Sequence, residues 1–310
     1  MNLCPIFNQE WWLKASTDGN YQTINIENDG LIIANISFFV KKHLGLIKID
    51  RPPYTRTLGP RLFLPQSKPF RREQNIRNTI SKLVEKFPKY DSIRISLDPD
   101  DETPFAFSLC GFDIQQKFTF RIPKNLPSTE VWDNLDHKTR NLIRTADKKL
   151  SVSTNTDIND FIKTSLINKN FRENTHDFRI MKNIFLACIE RNQSCVMSAR
   201  NEKNEIVASA ILIWDQINMY FWQSARDPYS NIAGSNMLLI WKSIELSQKK
   251  ELTFDFDSFA SEKSAKMIAS FGQRPVARPQ ILNSSLTRQW ERVANSTLLK
   301  IRDKSINLMK

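Results

Sequence analysis

The chain has 310 residues, 45 basic against 33 acidic, for a formal net charge of +12. Its 40% hydrophobic and 25% charged shares are those of a folded globular chain and exclude disordered or collagen-like structure. With only seven glycines, no Walker loop and no GxGxxG turn can be written, so P-loop and ordinary dinucleotide-binding readings fall away. The positive balance favours an anionic partner: a nucleic acid, a phosphorylated cofactor, a nucleotide-sugar or an anionic membrane surface.

The first third reads as strands. Residues 21–27 alternate weakly, and Asp29-Gly30 separates two apolar runs as a hairpin turn does. Residues 31–40 and 44–49 follow as strands, and residues 51–60, with three prolines and a glycine, must form a loop. Ile76, Ile80, Leu83, Val84 and Phe87 share one face of a helix over residues 71–87. Strand alternation returns at residues 92–97 and 114–122. Pro123-Lys-Asn-Leu-Pro127 is the best boundary, giving domains 1–125 and 126–310.

Beyond it, Ser128 caps a predicted helix running to about Lys149, with Trp132, Leu135, Leu142, Ile143 and Ala146 as its apolar face. A short strand at 152–154 precedes a helix capped by Asp157 and another over 178–191. Strands are predicted at 194–199, 206–214, 219–224 and 252–256, with a helix at 234–248 before the last. A helix at 261–271, a strand at 275–282 and a helix at 285–309 close the chain. No short-period repeat is visible. Cys4, Cys110, Cys188 and Cys195 form no CxxC, and His43, His137 and His176 are scattered, so no metal site and no disulfide framework is expected. A reducing, cytoplasmic setting fits. Residues 1–16 do not read as a signal peptide and no run spans a bilayer, though peripheral membrane association fits the charge.

Three stretches carry a family likeness. Leu135-Asp-His-Lys-Thr-Arg-Asn-Leu-Ile-Arg-Thr-Ala-Asp-Lys-Lys-Leu-Ser-Val152 resembles the KTRxxIRxAxK…V segment of Fem-type peptidyltransferases, which add amino acids to peptidoglycan precursors. Tyr220-Phe-Trp-Gln-Ser-Ala-Arg-Asp-Pro228, leading into Gly234–Glu245, is similar to that family's strand and following helix, and Thr253-Phe-Asp-Phe-Asp-Ser258 with Phe271-Gly272 to its close. Leu58-Gly-Pro-Arg61 resembles its first-half turn. The resemblance implies an α+β fold of two tandem GNAT-like domains, with mixed, mostly antiparallel sheets flanked by helices. The first domain would be degenerate and the second would carry the donor site. It extends to GNAT-fold N-acyltransferases of amino-sugars and envelope glycans. Where the family keeps a lysine three residues before the final Phe-Gly, this chain has Ile268, and the long helical arm of some members is absent. Both departures favour acyl-CoA (acetyl-CoA) as donor over aminoacyl-tRNA.

The site residues follow. Phe221, Trp222 and Gln223 would offer strand N–H groups to an oxyanion. Ile232, Ala233, Gly234, Ser235 and Asn236 form a strand-to-helix junction whose free N–H groups suit a pyrophosphate, with Gly234 permitting close approach. Asp255 and Asp257, two apart on a strand, would share a face and take the proton of an attacking amine. Ser258 would donate to the oxyanion or the leaving thiolate. Lys138, Arg140 and Arg144 on a helix, and Tyr54, Arg56 and Arg61 in the proline-rich loop, would bind a phosphorylated or nucleotide-linked acceptor. The expected activity is N-acyl transfer to an amine of an amino-sugar or cell-envelope precursor. The alternatives are aminoacyl transfer from tRNA by the same fold, and a non-catalytic polyanion-binding module.

Overall fold

The computed structural model describes residues 4–167, 176–257, 259 and 261–284. In chain order, α1 (Glu10–Thr17) leads into β1 (Gln22–Asn28), β2 (Leu31–His43), β3 (Leu46–Asp50) and β4 (Arg61–Leu62). Then come α2 (Pro69–Glu85), β5 (Ser92–Ser96), α3 (Pro104–Leu109) and β6 (Asp113–Ile122). α4 (Ser128–Asn134), α5 (His137–Asp147), β7 (Ser151–Asn155), α6 (Asn159–Ile167) and α7 (Phe178–Ile189) precede the meander β8 (Ser194–Arg200), β9 (Ile206–Trp214) and β10 (Asn218–Arg226). α8 (Ser235–Lys249), β11 (Thr253–Asp255), α9 (Glu262–Ala269) and β12 (Pro275–Ser284) end the described chain. The class is the expected one: α+β, with mixed sheets flanked by helices.

The chain divides into two compact units, each assembled from two separate stretches. Met1–Gly19 joins Lys117–Arg278, and Asn20–Gln116 joins the segment from Pro279 on. This differs from a single boundary at 125/126 in both termini. The cause at the N-terminus is aromatic and polar: Phe7 packs on Tyr220 with ring centroids 4.9 Å apart, and Trp12 packs on Trp222 at 5.6 Å. The Ile6 N–H donates to Asp215 Oδ2 at 3.0 Å, while Asp215 Oδ1 holds the Ile217 and Asn218 N–H groups of the β9–β10 turn.

In the unit containing residues 20–116, β2 pairs antiparallel with β1, β3 and β4. β3 runs parallel to β5, and Gln280–Ser284 of β12 pairs antiparallel with β5. One face of this sheet carries Ile36, Phe38, Ile49, Ile93, Ile95 and Ile281, and α2 closes over it with Ile76, Ile80 and Leu83. Pro69 at the first position of α2 starts the helix two residues earlier than the periodicity predicts. α3 follows a proline-led turn that no apolar period signals.

In the other unit the order is β6-β11-β10-β9-β8-β7, antiparallel except for β10 with β11. One face packs Met197, Ala210, Leu212, Met219 and Phe254 against Leu238, Leu239 and Ile244 of α8. α6 and α7, with buried Phe161, Met181, Ile184 and Phe185, serve the strands as well, and α1 packs on α7. The single helix predicted over 128–149 is two. Asp136 breaks it, its carboxylate accepting the Lys138 and Thr139 N–H groups as N-cap of α5. The predicted helix 285–309 lies outside the described residues.

Candidate active site

The residues expected on the donor side begin where β10 and β11 part. β11 accompanies β10 for three pairs only, Asn218 with Thr253, Met219 with Phe254 and Tyr220 with Asp255. Beyond them the chain of β11 turns to the other neighbour: the Phe256 N–H donates to Phe120 O at 3.0 Å, and Asp257 enters the left-handed region at φ 70°. β10 meanwhile continues to Arg226 against β9, with a bulge between Phe221 and Gln223. The extra residue, Trp222, turns into the core at 1% exposure, while Phe221 and Gln223 stay half-buried. The edge of β10 past Tyr220 is therefore where backbone N–H groups stand beside a gap between two diverging strands.

The next turn runs from Arg226 to α8. Arg226 Nη2 donates to Ser230 O at 3.0 Å and Ile232 O at 3.5 Å, and Ser230 Oγ accepts the Ile232 N–H. α8 has Gly234 as its N-cap, with no side chain capping the first turn. Three polar atoms here are buried without a hydrogen-bond partner among the described residues: Arg226 Nε, Ser235 Oγ and Asn236 Oδ1. An uncapped helix start with a guanidinium beside it is an anion site by geometry. A groove of about 600 Å³, lined in part by Lys149, Lys203, Tyr229, Asn231 and Ile232, opens next to it. The first-turn N–H groups with Arg226 suit a pyrophosphate, whereas the groove also carries the carboxylates of Glu202, Glu205 and Asp227. Ala233 is exposed at the same turn.

Gly234 serves a different end from the one expected. At φ 83°, a Cβ on it would lie 2.6 Å from the Leu142 carbonyl oxygen of α5. Its bareness lets α8 start hard against α5; a neighbouring helix, and not a ligand, fills that space.

Asp255 and Asp257 do not share a strand face. β11 ends at Asp255, and Asp257 follows the break. Both are buried, at 0% and 2% exposure. Asp255 Oδ1 accepts from Thr119 Oγ1 at 2.7 Å and from the Asp257 N–H at 2.7 Å; Oδ2 accepts from Arg121 Nε at 2.8 Å; Arg278 Nη2 reaches both oxygens at 3.2 Å. Two guanidinium groups and two further donors saturate this carboxylate. Asp257 Oδ1 stands 3.6 Å from Arg278 Nη1 in an ion pair. The reasoning from sequence missed Thr119, Arg121 and Arg278; only pairing between elements far apart in the chain brings them here. Phe254 and Phe256 are buried as expected. Ser258 lies outside the described residues.

On α5, Lys138 and Arg144 are exposed and Arg140 half-buried. The Arg144 guanidinium stands 5.4 Å over Trp132, which packs on Trp241. Arg140 Nη1 donates to Asp133 O at 3.4 Å. Tyr54, Arg56 and Arg61 belong to the unit of residues 20–116. Tyr54 is held at φ 60°, Arg51 donates to the Arg56 carbonyl, and the Arg61 guanidinium stacks 4.9 Å over Phe63. Cys195 is buried, and burial pushes its thiol up to about 12. Among the described residues, no three His, Cys, Asp or Glu side chains converge as a metal ion would require, and no helix is long and apolar enough to cross a membrane.

No protein-family model and no curated protein sequence matches the chain. Solved structures do. FemX superposes with a TM-score of 0.69 at 12% identity, over 94% of this chain and 95% of that one. The C-terminal domain of a putative lysylphosphatidylglycerol synthetase from Agrobacterium fabrum gives 0.56 at 11%, over 93% and 96%. A tandem GNAT protein from the clavulanic acid biosynthesis pathway gives 0.50 at 10%, over 88% and 87%. At such identities the likeness is one of fold, and the fold is the tandem, GNAT-like, Fem-type one.

Proposed function

We propose that this Fem-type tandem GNAT fold makes the chain an N-acyltransferase, moving an acyl group from acyl-CoA to an amine of an amino-sugar or cell-envelope precursor. The observation that carries the reading is the parting of β10 and β11 beside the uncapped start of α8. The donor's pyrophosphate would lie on the first-turn N–H groups of α8, with Arg226 next to them. Its thioester carbonyl would reach the edge of β10 past Tyr220. There the acceptor amine attacks the carbonyl carbon, the oxyanion rests on strand N–H groups, the C–N bond forms and the C–S bond breaks, releasing CoA thiolate. Of the two carboxylates, Asp257 is the better base, because the lone pairs of Asp255 are already taken by four donors. The ammonium proton passes from the tetrahedral intermediate to Asp257 and then to the thiolate or to water.

Lys138, Arg140 and Arg144 would favour a phosphate on the acceptor. The same basic face of α5, extended by exposed Lys148 and Lys149, is what favours the second reading, an aminoacyl-tRNA donor. One experiment separates them. Acetyl-CoA is titrated against wild type and Arg226→Ala by calorimetry, beside an aminoacyl-tRNA mixture. The expected result is saturable CoA binding, weakened about tenfold or more in Arg226→Ala, since a lost charge-assisted bond costs about 1.5–3 kcal/mol. Binding of the tRNA alone replaces the first reading by the second, and binding of neither ends both.

A further inference from the structure

The hairpin that joins β2 to β3 ends on a leucine where folding has no use for one. Leu44 and Gly45 are its two loop residues, with φ 49° and 76°, so both central positions are left-handed. That turn favours Asn, Asp or Gly at its first position and disfavours a branched apolar side chain. Leu44 is 87% exposed, so core packing does not account for it either. Leu46, just after the turn, is 37% exposed.

The ladder below the tip is basic. Lys41 lies directly opposite Lys48, and Lys42 opposite Ile47; all three lysines are exposed. Like charges facing each other across two strands are destabilising unless an anion joins them. Asp50 offsets part of this through Lys41 at 3.7 Å. Another carboxylate, Asp91, engages the backbone: its Oδ2 accepts the Ile47 N–H at 2.7 Å, and its own N–H donates to Ile47 O at 2.8 Å. Those two bonds brace the hairpin near its end, and Lys89 adds a further exposed cation two residues before them.

The β1–β2 hairpin is the internal control. It uses Asp29-Gly30 at φ 51° and 76°, the ordinary solution for this turn. Leu31 beside it is 71% exposed, but its exposed charged neighbours are Glu27 and Asp29. Exposed leucine alone is therefore not the signal; a leucine at the apex of a lysine-sided hairpin is.

We propose that the β2–β3 hairpin is a membrane-contact finger for an anionic bilayer. Leu44 and Leu46 enter the interfacial layer, and Lys41, Lys42 and Lys48 lie among the lipid phosphates. This contact is independent of acyl transfer.

The test is co-sedimentation of the full chain with vesicles of phosphatidylcholine, with and without phosphatidylglycerol. Binding is expected only with the anionic lipid, falling as salt rises. Leu44→Asp should lower partitioning about tenfold, because the apolar anchor is lost. Aspartate tolerates the left-handed turn, so the melting temperature should hold. Lys42→Ala should lower partitioning about fivefold. Leu31→Asp should leave it within about twofold, since that tip meets no lipid in this arrangement. Equal binding to both vesicle types overturns the proposal, as does an equal loss in Leu44→Asp and Leu31→Asp. So does polyuridylate binding that depends on Lys42 but not on Leu44 with no vesicle binding, which would assign the tip to nucleic acid.

Discussion

At the end of β11, Asp255 has four donors for one carboxylate; at the start of α8, Ser235 Oγ, Asn236 Oδ1 and Arg226 Nε are buried with no hydrogen-bond partner among the described residues. One place ends β11 and the other follows the end of β10, and both hold buried polar atoms. The difference lies in who completes them. A buried polar group without a partner costs about 1–3 kcal/mol, so a place that keeps several is incomplete until something else arrives. A carboxylate whose oxygens are all taken, as those of Asp255 are, is architecture, even though Arg278 Nε beside it has no hydrogen-bond partner among the described residues. On that ground Asp255 ties β6, β11 and β12 together, and the α8 turn is the part that waits for a ligand.

The comparison breaks most readily at Asp255. Asp255→Ala leaves Arg121 and Arg278 buried without their shared counter-charge, and should cost about 3–5 kcal/mol in urea unfolding. A folded variant of near wild-type stability would mean that the carboxylate is not structural. Gly234 gives the next largest effect. Gly234→Ala adds left-handed strain and a contact on Leu142, for about 2 kcal/mol or more. Gly111→Ala has nearly the same φ, 80°, with nothing within 4 Å of the new Cβ, and should lose only the strain of about 1 kcal/mol. The gap between the two variants measures how closely α8 and α5 meet.

A half-buried carboxylate sharpens the contrast through pH. The Asp101 carboxyl packs where a Cβ on Gly59 would meet it at 2.3 Å, and enclosure raises it to about 6 despite two bonds from Thr103. A raised carboxyl pKa means the native state holds this proton when the unfolded chain has lost it. Its contribution therefore favours the fold below the unfolded value near 4 and fades as pH rises through about 6. Asp101→Asn should remove that slope and stabilise the protein at pH 7.5 by about 1–3 kcal/mol. Unfolding curves of the pair at pH 4.5 and 7.5 decide it.

Much of this was legible in the sequence where a local period decided the structure. β9 falls on residues 206–214 as predicted, because an apolar run interrupted only by Ser209 is bounded by the Asn201–Asn204 turn and Asp215. The alternation through Phe254 and Phe256 located the buried strand end but overran it. What stops β11 at Asp255 is Arg278, more than twenty residues on, together with Thr119 and Arg121 from β6. No window around Asp257 contains that information. The α4–α5 break did leave a signal, an aspartate two and three residues before the N–H groups it caps. The α8 turn was legible as a helix start, but the role of Gly234 was not, because Leu142 lies nearly a hundred residues upstream.

The interleaving of the two units bears on how the chain is made. Phe7 and Trp12 are made some two hundred residues before the strand that packs on them ends at Arg226, and their unit closes only at Arg278. The other unit lacks its β12 pairing until Gln280–Ser284 is out. At about 5–20 residues per second, the N-terminal aromatics stay without their partners for roughly ten seconds or more. Neither unit comes from one uninterrupted stretch, so each is complete only once its later stretch, up to Arg278 in one and through Gln280–Ser284 in the other, has been made, and a chaperone that shields Phe7, Trp11 and Trp12 has a defined interval in which to act.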